Sequence, residues 1–179
     1  MKKLLLIATL FFLGCNSDTP QEKNTTIQTQ KTSNILVLDY YDANNSLNVI
    51  KLSKKTFKTD INKPVFLNFF STRCKPCIAQ MYSLKSLQEK YKDIEFIGVL
   101  VNQNISDASL KKFVSKMDLN YPIIANADVQ KIKNELGLKI NITPISMVFD
   151  SNGDYYTHYL GAVLQELIDL DLSSLTKAQ

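Results

Sequence analysis

A chain of 179 residues has room for one domain of ordinary size plus appendages, and about 140 residues can bury a core that is stable without staples. Its 45% apolar and 21% charged residues exclude a collagen-like, coiled-coil or wholly disordered chain and indicate a globular one. A net charge of +4, with 21 Lys and Arg scattered among 17 Asp and Glu, lacks the clustered basic footprint of a nucleic-acid binder, so no nucleic-acid partner is expected.

The chain opens on a leader: Lys2 and Lys3 precede an apolar run, Leu4 to Leu13, that is too short to span a bilayer stably and reads as a secretory signal. The run ends in Phe12-Leu13-Gly14-Cys15, which resembles a bacterial lipobox, so Cys15 is the expected lipid attachment site and the membrane contact is that lipid. The three cysteines then resolve into one attachment site and one pair. Asn16 is not the aspartate that in some bacteria retains lipoproteins at the inner membrane, which leaves inner and outer membrane both open. Residues 16–33 are mostly Asn, Ser, Thr, Gln, Lys and Glu, with Ile27 as the only branched aliphatic side chain, too little to offset the entropy of ordering. They are expected to form a tether with an average reach of about 23 Å, or about 60 Å when pulled straight. The expected organisation is a leader over 1–15, a tether over 16–33 and a folded domain over 34–179.

From Ile35 the pattern changes to short apolar stretches. Ile35 to Leu38 and Leu47 to Leu52, separated by Asp42-Ala43-Asn44-Asn45-Ser46, predict a β-hairpin. Val65 to Phe70 scarcely alternates and predicts a central strand buried on both faces. Ile78, Met81, Leu84, Leu87 and Tyr91 recur every three or four residues and predict a helix with Lys85, Gln88, Glu89 and Lys92 on its wet side. A strand over Phe96 to Val101 follows, then a helix with Ser106 as N-cap and Leu110, Phe113, Val114 and Met117 on one face. Next come a short strand, Pro122 to Ala125, and a helix carrying Val129, Ile132 and Leu136 that ends at Gly137. Ile145 to Phe149 and Tyr155 to Leu160 flank the turn Asp150-Ser151-Asn152-Gly153 as an antiparallel hairpin. A last helix is expected to turn Leu164, Leu167 and Ile168 inward, and Tyr40, Tyr41, Tyr155 and Tyr156 to pack on sheet faces. The order predicts an α/β fold: a mixed sheet with helices on both faces.

The chemistry concentrates in Cys74-Lys75-Pro76-Cys77, where a buried strand turns into a helix. A sulfur at a helix N-terminus meets unpaired N–H groups and the positive end of the dipole, which favour thiolate over thiol. Free cysteine titrates near 8.5, and such settings lower this to about 3.5 to 7.5. Cys74 is the expected attacking sulfur, and Cys77, one turn in and more buried, the expected resolving one. Pro76 suits an early helical position because no donor is needed there. Arg73 and Lys75 each add a cation. A zinc site would need further ligands, and the chain offers only His158 and no second cysteine pair.

Several spaced blocks carry a resemblance over about Asn45 to Leu172: Pro64-Val65-Phe66-Leu67-Asn68-Phe69-Phe70, the Cys74-Lys75-Pro76-Cys77 run, Tyr121-Pro122-Ile123-Ile124, and Ile142-Thr143-Pro144 leading to Val148-Phe149-Asp150-Ser151-Asn152-Gly153. Together they resemble the TlpA/ResA-like thioredoxin-fold proteins of bacterial envelopes. The resemblance implies a thioredoxin fold with an N-terminal hairpin extension, and a thiol:disulfide oxidoreductase with no cofactor. It implies protein substrates bearing disulfides or thiols, a membrane or periplasmic electron donor, and a place in the envelope on the periplasmic or extracytoplasmic side. It favours a reductant, as in cytochrome c maturation or disulfide repair. In that family the proline matching Pro144 is cis and packs beside the pair, and the residue before it, here Thr143, offers its backbone to an extended partner chain.

The chain also departs from the family pattern. Arg73 stands where a tryptophan is usual, Gln80 replaces a glutamate thought to move protons for the buried thiol, and Tyr82 replaces a helix-kinking proline. Asn68 occupies the position of thioredoxin's buried aspartate. An amide cannot act as a base near neutral pH, so the expected site relies on backbone dipoles and nearby cations. One other reading remains open. A copper chaperone would use the two thiolates and His158, although such proteins carry CxxxC. The P-x-x-x-T-x-x-C frame that a peroxidase needs is not met around Cys74, where Leu67 and Ser71 stand in place of its proline and threonine.

Overall fold

The computed structural model describes residues 35–41, 45–101, 104–125, 128–138 and 142–177. The leader, Cys15 and the tether lie outside the described residues; among those described, no helix is long and apolar enough to cross a membrane.

The first apolar stretch pairs with the second as expected, β1 (Leu36–Asp39) running antiparallel to β2 (Ser46–Ser53). A further strand, β3 (Thr56–Thr59), extends the expected hairpin to a three-stranded sheet, because Phe57 buries its whole side chain between two strand-forming threonines. Then follow β4 (Val65–Phe70), α1 (Lys75–Lys90), β5 (Glu95–Leu100), α2 (Asp107–Met117), β6 (Ile123–Ile124), α3 (Asp128–Glu135), β7 (Ile145–Phe149), β8 (Tyr155–Leu160) and α4 (Gln165–Lys177).

The second sheet has the order β6-β5-β4-β7-β8. Parallel β4, β5 and β6 meet antiparallel β7 and β8, so it is the mixed sheet the sequence predicts. All six residues of β4 are buried, which explains why the run scarcely alternates. Its two faces serve different layers. Val65, Leu67 and Phe69 pack with the three-stranded sheet and with Val129 and Ile132 of α3. Phe66 packs with Leu84 and Leu87 of α1 and Ile168 and Leu172 of α4, and Phe70 with Met81 of α1 and Leu110 of α2. Each such large apolar side chain removed from water contributes about 1.5–3 kcal/mol.

The helix ends follow the expected chemistry. Ser106 Oγ accepts the Ser109 N–H at 3.3 Å, capping α2, and Gly137 at φ +68° follows α3, with the Leu138 N–H on the Lys133 carbonyl at 2.9 Å. The last helix corrects its expectation. Ile168 is buried, but Leu164 precedes α4 and is 70% exposed, Leu167 is 52% exposed, and Leu172 and Leu175 complete the inward row. Leucines at 164, 167, 170, 172 and 175 encircle this segment, so spacing alone does not fix its phase. The tyrosines divide as well. Tyr40 and Tyr41 are partly buried against the core, whereas Tyr155, which meets Phe149 edge-on, is 37% exposed and Tyr156 is 40% exposed.

Candidate active site

β4 delivers the chain to the site. Val101 N–H donates to the Phe70 carbonyl at 2.8 Å, closing the strand, and Cys74 N–H donates to the Ser71 carbonyl at 3.1 Å, closing the loop that leads into α1. Cys74 is the N-cap of α1, in extended conformation, and its Sγ accepts the Cys77 N–H at 3.1 Å. The sulfur thus occupies the place of a capping oxygen, facing amides that have no partner inside the helix. Pro76 falls in the first turn, where a missing N–H leaves nothing unsatisfied, and no acidic residue stands there to oppose a negative sulfur. Lys75 and Arg73 are both exposed beside it.

Cys74 and Cys77 are joined as a disulfide, with Cα atoms 5.2 Å apart. Cys77 is fully buried against Phe70, Met81 and Leu100, while Cys74 is half-buried. One sulfur is open to a partner and the other can be reached only through it, the asymmetry that sequential exchange requires. The Thr143–Pro144 bond is cis and Pro144 is buried; the Thr143 carbonyl oxygen lies 3.4 Å from Cys74 Sγ. The Pro144 carbonyl accepts the Gly161 N–H at 2.9 Å, tying this loop to the end of β8.

Gln80, one turn beyond Cys77, is buried, and its Oε1 accepts the Val163 N–H at 2.8 Å. The amide therefore clamps α1 to the segment between β8 and α4, a partner 83 residues away that no local pattern in the sequence reveals. Asn68 is buried opposite Ser146, whose hydroxyl donates to Asn68 Oδ1 at 3.3 Å. Burial pushes the Tyr121 phenol upward, an effect the Asn68 amide partly offsets. No carboxylate takes either place. Lys85 pairs with Asp118 on the surface, away from any role at the buried sulfur. Tyr82 is 60% exposed and α1 continues past it without a break.

His158 stands apart. It is exposed on β8, with its Nδ1 2.5 Å from the Tyr155 hydroxyl. Among the described residues no group of three or more His, Cys, Asp or Glu is arranged to hold a metal ion, so the histidine and the two sulfurs are not brought together as the copper reading requires.

Residues 42–154 match the AhpC/TSA family. The chain belongs to that family. It is 29% identical over 126 residues to the thiol-disulfide oxidoreductase ResA of Bacillus thuringiensis, covering 70% of this chain and 69% of that protein. Among solved structures it resembles a secreted thiol-disulfide isomerase from Corynebacterium glutamicum, with a TM-score of 0.64 and 20% identity over 79% of this chain and 84% of that one. StoA from Bacillus subtilis gives a TM-score of 0.60 and 14% identity over 78% and 97%. The fold is the thioredoxin fold, and the chain is a thiol-disulfide oxidoreductase of this type with a CxxC pair.

Proposed function

We propose that this is a lipid-anchored, envelope-facing oxidoreductase that reduces protein disulfides through Cys74 and Cys77. The observation that carries the reading is the asymmetric pair: a half-exposed sulfur that caps a helix and lies against the Thr143 carbonyl, and a buried sulfur one turn behind it.

In the reduced enzyme the Cys74 thiolate attacks one sulfur of the partner's disulfide. A Cys74–partner bond forms, the partner's S–S bond breaks, and one partner thiolate leaves. Cys77 then loses its proton and attacks Cys74 Sγ, forming the Cys74–Cys77 bond and releasing the second partner thiolate. The partner gains two electrons and the enzyme loses two, which a thiol-bearing donor in the envelope restores. Thr143 offers its backbone to an extended partner segment, and Pro144 shapes that loop. Arg73 and Lys75 favour the anionic sulfur, and Pro76 stiffens the turn between the cysteines. Gln80 and Asn68 supply no proton acceptor, so water or the departing partner thiolate takes the Cys77 proton. The leader and Cys15 support the anchor, and residues 16–33 let the domain search near the membrane. The secreted isomerase among the structural relatives is in keeping with an extracytoplasmic location.

Titrating the thiolate absorbance of the reduced full chain tests the electrostatic basis of this reading. A first midpoint clearly below the free-cysteine value of about 8.5 is expected, with the second thiol ionising at higher pH. A first midpoint at or above that value would remove helix capping and the adjacent cations as the source of reactivity.

A further inference from the structure

We propose that a basic recess beside Cys74 docks acidic residues that flank the disulfide of the partner protein. The inference rests on the exchange reading above and narrows it, by naming the chemistry of the substrate. A cavity of about 370 Å³ opens beside Arg73, the residue that precedes Cys74. Arg73, from the loop that leads into Cys74, lines one side, and Lys112 and Lys116 of α2 line the other.

Three features make this a docking surface for anions. All three cations are exposed, and among the described residues none makes an ion pair. Among the described residues no acidic side chain lines the cavity: Asp118, just past the end of α2, pairs with Lys85, and Asp107 at the start of α2 is not part of the wall. The wall is also fixed relative to the redox pair, because Phe113 of α2 stacks on Phe70 of β4 with ring centroids 6.0 Å apart. The element that presents Lys112 and Lys116 thus rests on the strand that positions Cys74.

Arg73 takes the place of the tryptophan expected before the first cysteine, so a flat apolar platform is exchanged for a planar fork suited to carboxylates. A partner segment extended along Thr143, with its disulfide over Cys74, would place neighbouring residues within reach of Arg73. Asp or Glu there meets three cations of one sign, and Lys or Arg is repelled. Exposed charges of this kind act mainly on the rate of encounter and on the choice between partners.

The test uses the reduced full chain and three disulfide peptides that differ only in the residues flanking the cystine: Asp and Glu, Ser and Asn, or Lys. Second-order exchange rates are measured at low ionic strength and again at about 1 M salt, where the Debye length is about 3 Å. The acidic peptide is expected to react about tenfold faster than the neutral one at low salt, with the ratio falling towards one at high salt. In the double variant Lys112→Glu, Lys116→Glu, the low-salt order should reverse in favour of the Lys peptide. The salt comparison on the unmodified chain gives the same discrimination if that variant fails to fold. Equal rates for acidic and neutral peptides in the unmodified chain, or an order unchanged in a folded variant, would overturn the docking surface while leaving exchange intact. Failure of all three peptides to react would instead remove the exchange reading, and this inference with it.

Discussion

Cys74→Ser abolishes disulfide exchange: with a protein disulfide as substrate, the release of new thiols falls by at least ~10³-fold. The hydroxyl can still cap α1, since serine is a favoured cap, so the helix and the fold should survive. What disappears is the only exposed atom of the pair able to form a bond to sulfur. Cys77 does not substitute, because it is fully buried behind Phe70, Met81 and Leu100. A far-UV spectrum matching that of the unmodified chain, together with absent turnover, is the expected combination. Retention of more than a few per cent of the rate would place the attacking sulfur elsewhere.

The second large effect concerns stability. Gly153→Ala should lower the unfolding free energy by about 3–5 kcal/mol, in the range reserved for backbone collisions and left-handed strain. Gly153 sits at φ +82° in the β7–β8 turn, and a Cβ there would meet the Lys58 Cα at 2.5 Å and the Lys58 backbone N at 2.7 Å. Neither atom can move without shifting β3. The contact also joins the two sheets: Phe57 N–H donates to the Gly153 carbonyl at 2.7 Å, Tyr155 N–H to the Lys55 carbonyl at 3.0 Å, and Lys58 Nζ to the Ser151 carbonyl at 2.7 Å. Gly161→Ala is the internal comparison, since its φ of +78° carries similar left-handed strain but no atom lies within 4 Å of the added carbon. Its loss should be only about 1–2 kcal/mol. Urea unfolding of both variants separates the two contributions, and equal losses would show that the close approach to Lys58 does not matter.

Most elements were legible because their residues declare themselves locally. The β4 run of six apolar or amide residues, the Ser106 cap and the Gly137 terminus each depend on neighbours within a few positions. β3 was not legible, because four residues with one large apolar side chain, Phe57, carry too short a pattern to stand out from a turn. The phase of α4 failed for the opposite reason, an excess of leucines; the rows that Phe66 and Leu84 present decide which of them go inward. At the site, the strand-to-helix placement of Cys74 and Cys77 and the departures at Gln80, Asn68 and Arg73 could be read from sequence. Their partners could not. Val163 closes on Gln80 from 83 residues away, and Lys112 and Lys116 reach Arg73 across a cavity that only the tertiary fold creates. The one local sign of that recess was the i, i+4 spacing of the two lysines on α2.

On the proposed mechanism Cys74 forms, and Cys77 resolves, a disulfide with a partner protein. The most direct measurement is made in the native cell, with a full-length Cys77→Ser variant whose mixed disulfides are captured by acid quenching and mapped by mass spectrometry. Partner proteins bound through Cys74, absent from a Cys74→Ser, Cys77→Ser control and released by a reducing agent, are the expected result. An intact Cys74 thiol with no protein bound to it would rule out Cys74 as the sulfur that attacks a partner.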